Sequence, residues 1–136
     1  MSLPPQDDCE RFREAYARTR DGASGRVERA ACGHDLVNGY TTVRQAERLA
    51  SLLTLGPGSR FLDLGSGRGW PGLRIAEITG SDLVASDVPI DALVVAKASL
   101  AEKGIPSRAS FAAADGRALP FRSGSFDAVV HADVFC

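Results

Sequence analysis

The sequence predicts an α/β fold in which a parallel sheet is joined by helical crossovers. Two observations carry the prediction. From Arg60 onward, short apolar segments alternate with longer segments of helical period. The first apolar segment also runs without a gap into a glycine-rich stretch, Gly65-Ser66-Gly67-Arg68-Gly69, as a strand does when it turns sharply into a helix. A chain of 136 residues with 44% hydrophobic content is the size of one domain around one core.

The elements follow in order. Charged residues dominate from Gln6 to about Arg20, with Phe12, Ala15 and Tyr16 at helical spacing, which predicts a short amphipathic helix serving as a lid or arm. Asp21 to Asn38 holds Gly22, Gly25 and Gly33 without a clear period, so a loop with at most one helical turn is expected. Thr42 opens a firmer helix. Gln45 completes its capping box, Val43, Ala46, Leu49, Ala50 and Leu53 form its buried stripe, and Gly56-Pro57-Gly58 ends it. Residues 1–58 thus read as an N-terminal helical cap and lid segment, and 59–136 as the sheet domain. Strands are expected at Arg60 to Leu64, Leu83 to Ser86, Ser110 to Ala113 and Ala128 to Ala132. Helices are expected from about Pro71 to Ile78, where an early proline lacks only an amide that would be unpaired anyway, and from Ile90 to Lys103, stopped by Gly104.

Charge and composition narrow the function. The 16 basic and 17 acidic side chains leave a net charge of -1, so no whole-domain positive field draws in nucleic acid. Cys9, Cys32 and Cys136 are an odd number at wide spacing, which argues against a disulfide framework and for a reducing cytoplasm. The cluster Cys32-Gly33-His34-Asp35 offers too few ligands on one short loop to close a tetrahedral metal site, so no metal is expected. The first residues, Met1 to Asp8, lack the basic and apolar regions of a signal peptide, and no apolar run is long enough to cross a bilayer, so no membrane partner is expected.

The glycine-rich turn carries the chemistry. Glycines there let a ligand approach main-chain amides, and the following helix adds partial positive charge. Such a turn suits pyrophosphate, and it equally suits the carboxylate of a methionine moiety. The spacing alone leaves both open, because Gly67-Arg68-Gly69-Trp70-Pro71-Gly72 also fits the G-x-G-x-x-G dinucleotide pattern, with Asp87 following at the expected distance. The register beginning at Gly65 starts at the strand's end, and the carboxylate of Asp63 would repel pyrophosphate while attracting an ammonium. Asp87, at the end of the second strand, is placed to accept from both hydroxyls of a ribose, or else to cap the next helix. Asp115, after the third strand, is placed to accept from an adenine amino group while the Gly116 amide serves a ring nitrogen; an Asp-Gly turn is the alternative.

These motifs occur in a fixed order: Leu62-Asp63-Leu64-Gly65-Ser66-Gly67-Arg68-Gly69, then Ser86-Asp87, then Ala114-Asp115-Gly116-Arg117-Ala118-Leu119-Pro120-Phe121, then Ser125-Phe126-Asp127-Ala128-Val129-Val130. In that order and spacing the chain from Phe61 onward resembles the class I S-adenosylmethionine-dependent methyltransferases, in particular the ubiquinone and menaquinone biosynthesis type. The resemblance implies a Rossmann-like sheet ordered 3-2-1-4 and S-adenosyl-L-methionine as cofactor. It implies that Asp63, Gly65, Ser66, Gly67 and Gly69 form the methionine end of the site, that Asp87 and Val88 serve the ribose, with Val88 packed on ribose or adenine, and that Asp115 and Gly116 hold the adenine. Residues after strand four would face the methyl donor, with Ala132 in the cofactor set and His131 and Asp133 as candidate catalytic groups. Tyr16 and Tyr40 would sit in elements that close over the cofactor.

The chain departs from the family pattern at Pro71 and Gly72, which suggests a helix that starts later or bends near Trp70, with Trp70 facing the pocket or covering the sheet. The resemblance further implies a fifth strand, so the chain is expected to stop after strand four and to leave that strand as an edge able to pair in a homodimer. The expected activity is methyl transfer to a small-molecule acceptor. Two rivals are an NAD(P)-dependent oxidoreductase built on Gly67, Gly69 and Gly72, and a non-catalytic cofactor-binding fragment completed by another chain.

Overall fold

The computed structural model describes residues 10–11, 13–14, 22–33, 35, 39–105 and 108–134. Of the helix expected over Gln6 to Arg20, residues 10–11 and 13–14 are helical; Tyr16, His34, Cys9 and Cys136 lie outside the described residues. The elements are α1 (Ala23–Cys32), α2 (Val43–Leu52), β1 (Arg60–Leu64), α3 (Gly72–Thr79), β2 (Asp82–Asp87), α4 (Ile90–Lys103), β3 (Ala109–Ala113) and β4 (Ala128–Val130). All three pairings are parallel and the sheet order is β3-β2-β1-β4, as the motif order implied. No helix among the described residues is long and apolar enough to cross a membrane.

Helix α1 corrects the loop expected between Asp21 and Asn38. Two of the glycines that suggested a loop are its ends: Gly22 is the N-cap, and Gly33, at φ +76°, is a left-handed C-cap whose amide donates to the Arg29 carbonyl. Between them a run with three alanines, two arginines and a glutamate favours helix strongly enough to tolerate Gly25. Helix α2 keeps its full capping box. The Gln45 amide donates to Thr42 Oγ1 at 3.2 Å and the Thr42 amide to Gln45 Oε1 at 2.8 Å.

Both crossovers step the same way across the sheet, so right-handed connections put α3 and α4 on one face. There Phe61, Leu83 and Ala85 of the sheet meet Leu73, Ile75 and Ala76 of α3 and Leu93 of α4. Cys32, Ala46 and Ala50 belong to the same buried cluster, so α1 and α2 share the core of the sheet. From β3 the chain crosses to the opposite edge through residues 114–127, where Phe121 and Phe126 stack edge to face at 5.1 Å.

Four elements differ in their bounds from the sequence reading. Strand β2 extends to Asp82 and Asp87, and β3 begins one residue early at Ala109. Helix α3 starts at Gly72, after a cis Trp70–Pro71 peptide, with Pro71 as its N-cap. Strand β4 stops at Val130 instead of Ala132. Its register with β1 ends at Asp63↔Val130, one residue before β1 itself ends at Leu64 and bends into the glycine turn.

The capping box fixes where α2 begins. Thr42→Ala is expected to destabilise the protein by about 1 kcal/mol and Thr42→Ser by much less. Urea unfolding of the two variants measures this, and equal losses would show that the hydroxyl cap is not what holds the helix start.

Candidate functional site

Parallel strands end on one edge of the sheet, and a crevice opens where the strand order reverses, here between β1 and β4. A cavity of about 350 Å³ lies at that edge. Its wall combines Leu64, Gly65, Ser66, Gly67 and Trp70 from the β1 turn with Ser86, Asp87 and Val88 from the end of β2. Ala114, Asp115, Gly116 and Arg117 follow β3, Ala132, Asp133 and Val134 follow β4, and Gly39 comes from the segment before α2.

The turn is held from beneath. The amides of Gly65 and Ser66 both donate to the Ser86 carbonyl, at 2.8 and 3.1 Å. The Gly67 amide donates to Asp87 Oδ2 at 2.6 Å, a buried charge-assisted bond, and the Val88 amide donates to Asp87 Oδ1 at 2.7 Å. Gly65 and Gly67 adopt φ of +71° and +51°, where a side chain would be strained, so the turn depends on glycine.

Asp63 lies behind the turn and off the cavity wall. It is fully buried, and its Oδ2 accepts from the amide of Gly72, the first residue of α3, at 2.9 Å. Its Oδ1 has no partner among the described residues. Burial pushes the carboxyl up to about 7; the Gly72 amide pulls the other way and the charge of Asp87 adds to the rise. A Cβ on Gly72 would land on the Asp63 carboxylate, and one on Gly69 would come within 2.6 Å of Leu73 and 3.2 Å of Ala96. Gly69 and Gly72 therefore serve helix packing, and both are off the wall. The second glycine register, which needs both glycines and the helix amide that Asp63 already occupies, is thereby disfavoured.

At the far end, the Arg117 guanidinium clamps Asp115, with Nε 3.0 Å from each carboxylate oxygen and Nη2 2.6 Å from Oδ2. These bonds, and then the Arg117 amide, hold the Asp115 carboxyl below its usual value. After β4, Ala132 and Asp133 line the cavity, whereas His131 is exposed and off its wall. Asp133 Oδ2 accepts from the amides of Tyr40 and Thr41 and from the Thr41 hydroxyl. Among the described residues no group of three or more His, Cys, Asp or Glu is placed to hold a metal ion.

The structure thus brings Gly65, Ser66, Gly67, Asp87, Val88, Asp115, Gly116, Ala132 and Asp133 around one cavity. Trp70, whose placement the sequence left open, is on the wall too, 7% exposed, with its indole Nε1 donating to the Thr41 carbonyl at 2.7 Å. Sequence reasoning missed Ser86, Arg117 and Gly39. The first two adjoin named acids and were within reach of the same argument, whereas nothing local marks Gly39, which arrives through tertiary contacts.

Residues 61–136 match the methyltransferase domain family. The chain is 33% identical over 109 residues to 27-O-demethylrifamycin SV methyltransferase of Amycolatopsis mediterranei (strain S699), a match covering 71% of this chain and 39% of that protein. Among solved structures it is similar to the [4+2]-cyclase SpnF, with TM-score 0.55 and 31% identity over 63% of this chain and 33% of the other. It is also similar to an RNA methyltransferase from Salinibacter ruber in complex with S-adenosyl-L-homocysteine, with TM-score 0.51 and 25% identity over 55% of this chain and 49% of the other. The chain therefore spans less than half the length of each of these proteins.

The raised pKa of Asp63 has a measurable consequence. The folded protein retains a proton that the unfolded chain releases near pH 4, so stability is fullest below that value and falls as pH rises towards about 7. At about 1.4 kcal/mol per pKa unit, the fall is of order a few kcal/mol. Urea unfolding at pH 5 and pH 8 is expected to show Asp63→Asn losing less stability between the two than the wild type; parallel losses would mean that Asp63 is ionised throughout.

Proposed function

The chain belongs to the methyltransferase domain family, and from that premise we propose that its cavity holds S-adenosyl-L-methionine for methyl transfer to a small-molecule acceptor. One observation carries the reading: the glycine turn, Asp87 and the Asp115-Gly116 pair, from the ends of three different strands, line a single cavity at the switch point of the sheet.

In this reading the glycine turn, which leaves room for a ligand to lie on its backbone, and Ser66 border the methionine end of the cofactor. Asp63, protonated up to about pH 7 behind the turn, is favoured to ionise when the ammonium binds nearby, and its charge is then complementary to the ligand's. Asp87 accepts from the ribose hydroxyls with the lone pairs left after Gly67 and Val88, and Val88 packs against the sugar or base. Asp115 and the Gly116 amide meet the adenine edge, with Arg117 fixing the carboxylate. Gly69 keeps α3 close enough for the turn to form. When bound, the cofactor supplies an electrophilic methyl group on a sulfonium. The chain's own part is alignment and exclusion of water, and Ala132 lies where the acceptor approaches. His131, exposed at the end of β4, is a base for the acceptor only if the acceptor reaches over that rim.

The small-molecule acceptor is supported by the rifamycin relative and by the absence of net positive charge, the RNA methyltransferase neighbour being the counterexample that titration with RNA would address. Residues 1–58 act in this reading as the cap, and 59–136 as the cofactor-binding unit. The cytoplasm is its place of work, on the evidence of the odd, widely spaced cysteines. A second copy would pair along β4, the outermost strand on its side among the described residues, where Val129 is 56% exposed.

Calorimetric titration with S-adenosylhomocysteine tests the proposal. Asp87→Ala loses the ribose acceptor and the Gly67 tie together, and affinity is expected to fall at least tenfold, since hydrogen bonds to a charged group are each worth about 1.5 to 3 kcal/mol. Asp87→Asn, which keeps an acceptor for Gly67, separates the two and is expected to lose about tenfold. Affinity unchanged in both variants would remove Asp87 from the site.

A further inference from the structure

Resting on that reading, we propose that Asp133 is a positioning residue: its carboxylate fastens the strap Gly39–Thr42, which reaches the cavity wall at Gly39, and so holds the cofactor in place without touching the reacting atoms. One oxygen, Oδ2, accepts from the Tyr40 amide at 3.0 Å, the Thr41 amide at 3.3 Å and the Thr41 hydroxyl at 3.0 Å. These bonds join chain positions more than 90 residues apart, and no sequence-local signal accounts for them.

The strap is gripped from other sides as well. The Cys32 thiol, at the end of α1, donates to the Gly39 carbonyl at 3.6 Å, and the Trp70 indole donates to the Thr41 carbonyl. Thr41 is thus bonded through its carbonyl to the glycine-turn side of the cavity and through its amide and hydroxyl to the segment after β4. The fit is close. A Cβ on Gly39 would fall on the Asp133 carboxylate, and one on Gly65 would fall on the Val134 side chain. Strap, post-β4 segment and glycine turn therefore pack directly on one another around the cavity.

Asp133 is also the one non-glycine residue among those described with a positive φ, +58°. A strained backbone persists where surrounding contacts over-determine it, and here those contacts are the bonds to the strap.

The test uses the chain's single tryptophan, which sits at the junction. In the ligand-free wild type the Trp70 indole N–H should give one NMR resonance shifted by its hydrogen bond and protected from solvent exchange. In Asp133→Ala that resonance should move towards the free-indole position and exchange faster, and S-adenosylhomocysteine affinity should fall about tenfold. Asp133→Asn keeps an oxygen acceptor for the two amides, so it should retain both the resonance and an affinity within threefold of wild type. Thr41→Val, which removes only the hydroxyl bond, should shift both readouts in the direction of the alanine variant. An unmoved indole in Asp133→Ala would overturn the latch, and a moved indole with affinity within threefold of wild type would overturn its bearing on the cofactor. An asparagine variant as weak as the alanine one would assign Asp133 a charge role in place of positioning. If the wild type binds no S-adenosylhomocysteine, the functional reading falls and the positioning role with it, while the indole resonance still decides whether Asp133 fastens the strap.

Discussion

The site depends on the bond between the Asp87 carboxylate and the Gly67 amide. At 2.6 Å and buried, it fastens the middle of the glycine turn to the end of β2, while the Ser86 carbonyl takes the amides on the strand side. Without such partners the turn would present unpaired amides in a dry interior, each costing about as much as a lost hydrogen bond. With them, the turn is held in a conformation that only glycine adopts freely at positions 65 and 67. The cavity follows from that, because its floor is the turn and its adjacent wall is the strand end that pins it.

Asp63 solves a related problem on the other side of the same turn. Helix α3 begins at Gly72, preceded by a proline that cannot cap with a side chain, and its first amide points inward. Asp63 caps it from β1, which links strand, turn and helix through one buried carboxyl group. Two acids, Asp63 and Asp87, are thereby placed near each other in a poorly solvated interior, and the charge of Asp87 helps to keep the Asp63 proton on. A cation bound over the turn would offset the charge of Asp87 and favour ionised Asp63, so the electrostatics of the fold favour a ligand with a positive end. Pyrophosphate would be repelled by the Asp87 charge and would hold the Asp63 proton on.

Much of this was legible in the sequence. Strand identity and the helix of residues 90–103 came from apolar periodicity, and the order of the sheet came from the family resemblance that the ordered motifs carry. The β-strand acids were legible because a strand end is a fixed place on one edge of the sheet. Two things were not. Gly22 and Gly33 look the same in sequence whether they break a helix or cap it, and only the packing of Cys32 into the core distinguishes the cases. The strap contacts of Gly39, Thr41 and Asp133 bridge distant parts of the chain, and no local period encodes them. For the same reason Asp133 read as a catalytic candidate when its visible bonds are to backbone and to a threonine.

The central claim is that the cavity on the first glycine register accepts a nucleoside with a methionine tail and not a dinucleotide. Parallel titrations of the wild-type chain with S-adenosylhomocysteine and with NADH, read by calorimetry under the same conditions, test it most directly. The account predicts saturable one-to-one binding of S-adenosylhomocysteine and none of NADH. Binding of NADH without binding of S-adenosylhomocysteine would contradict it.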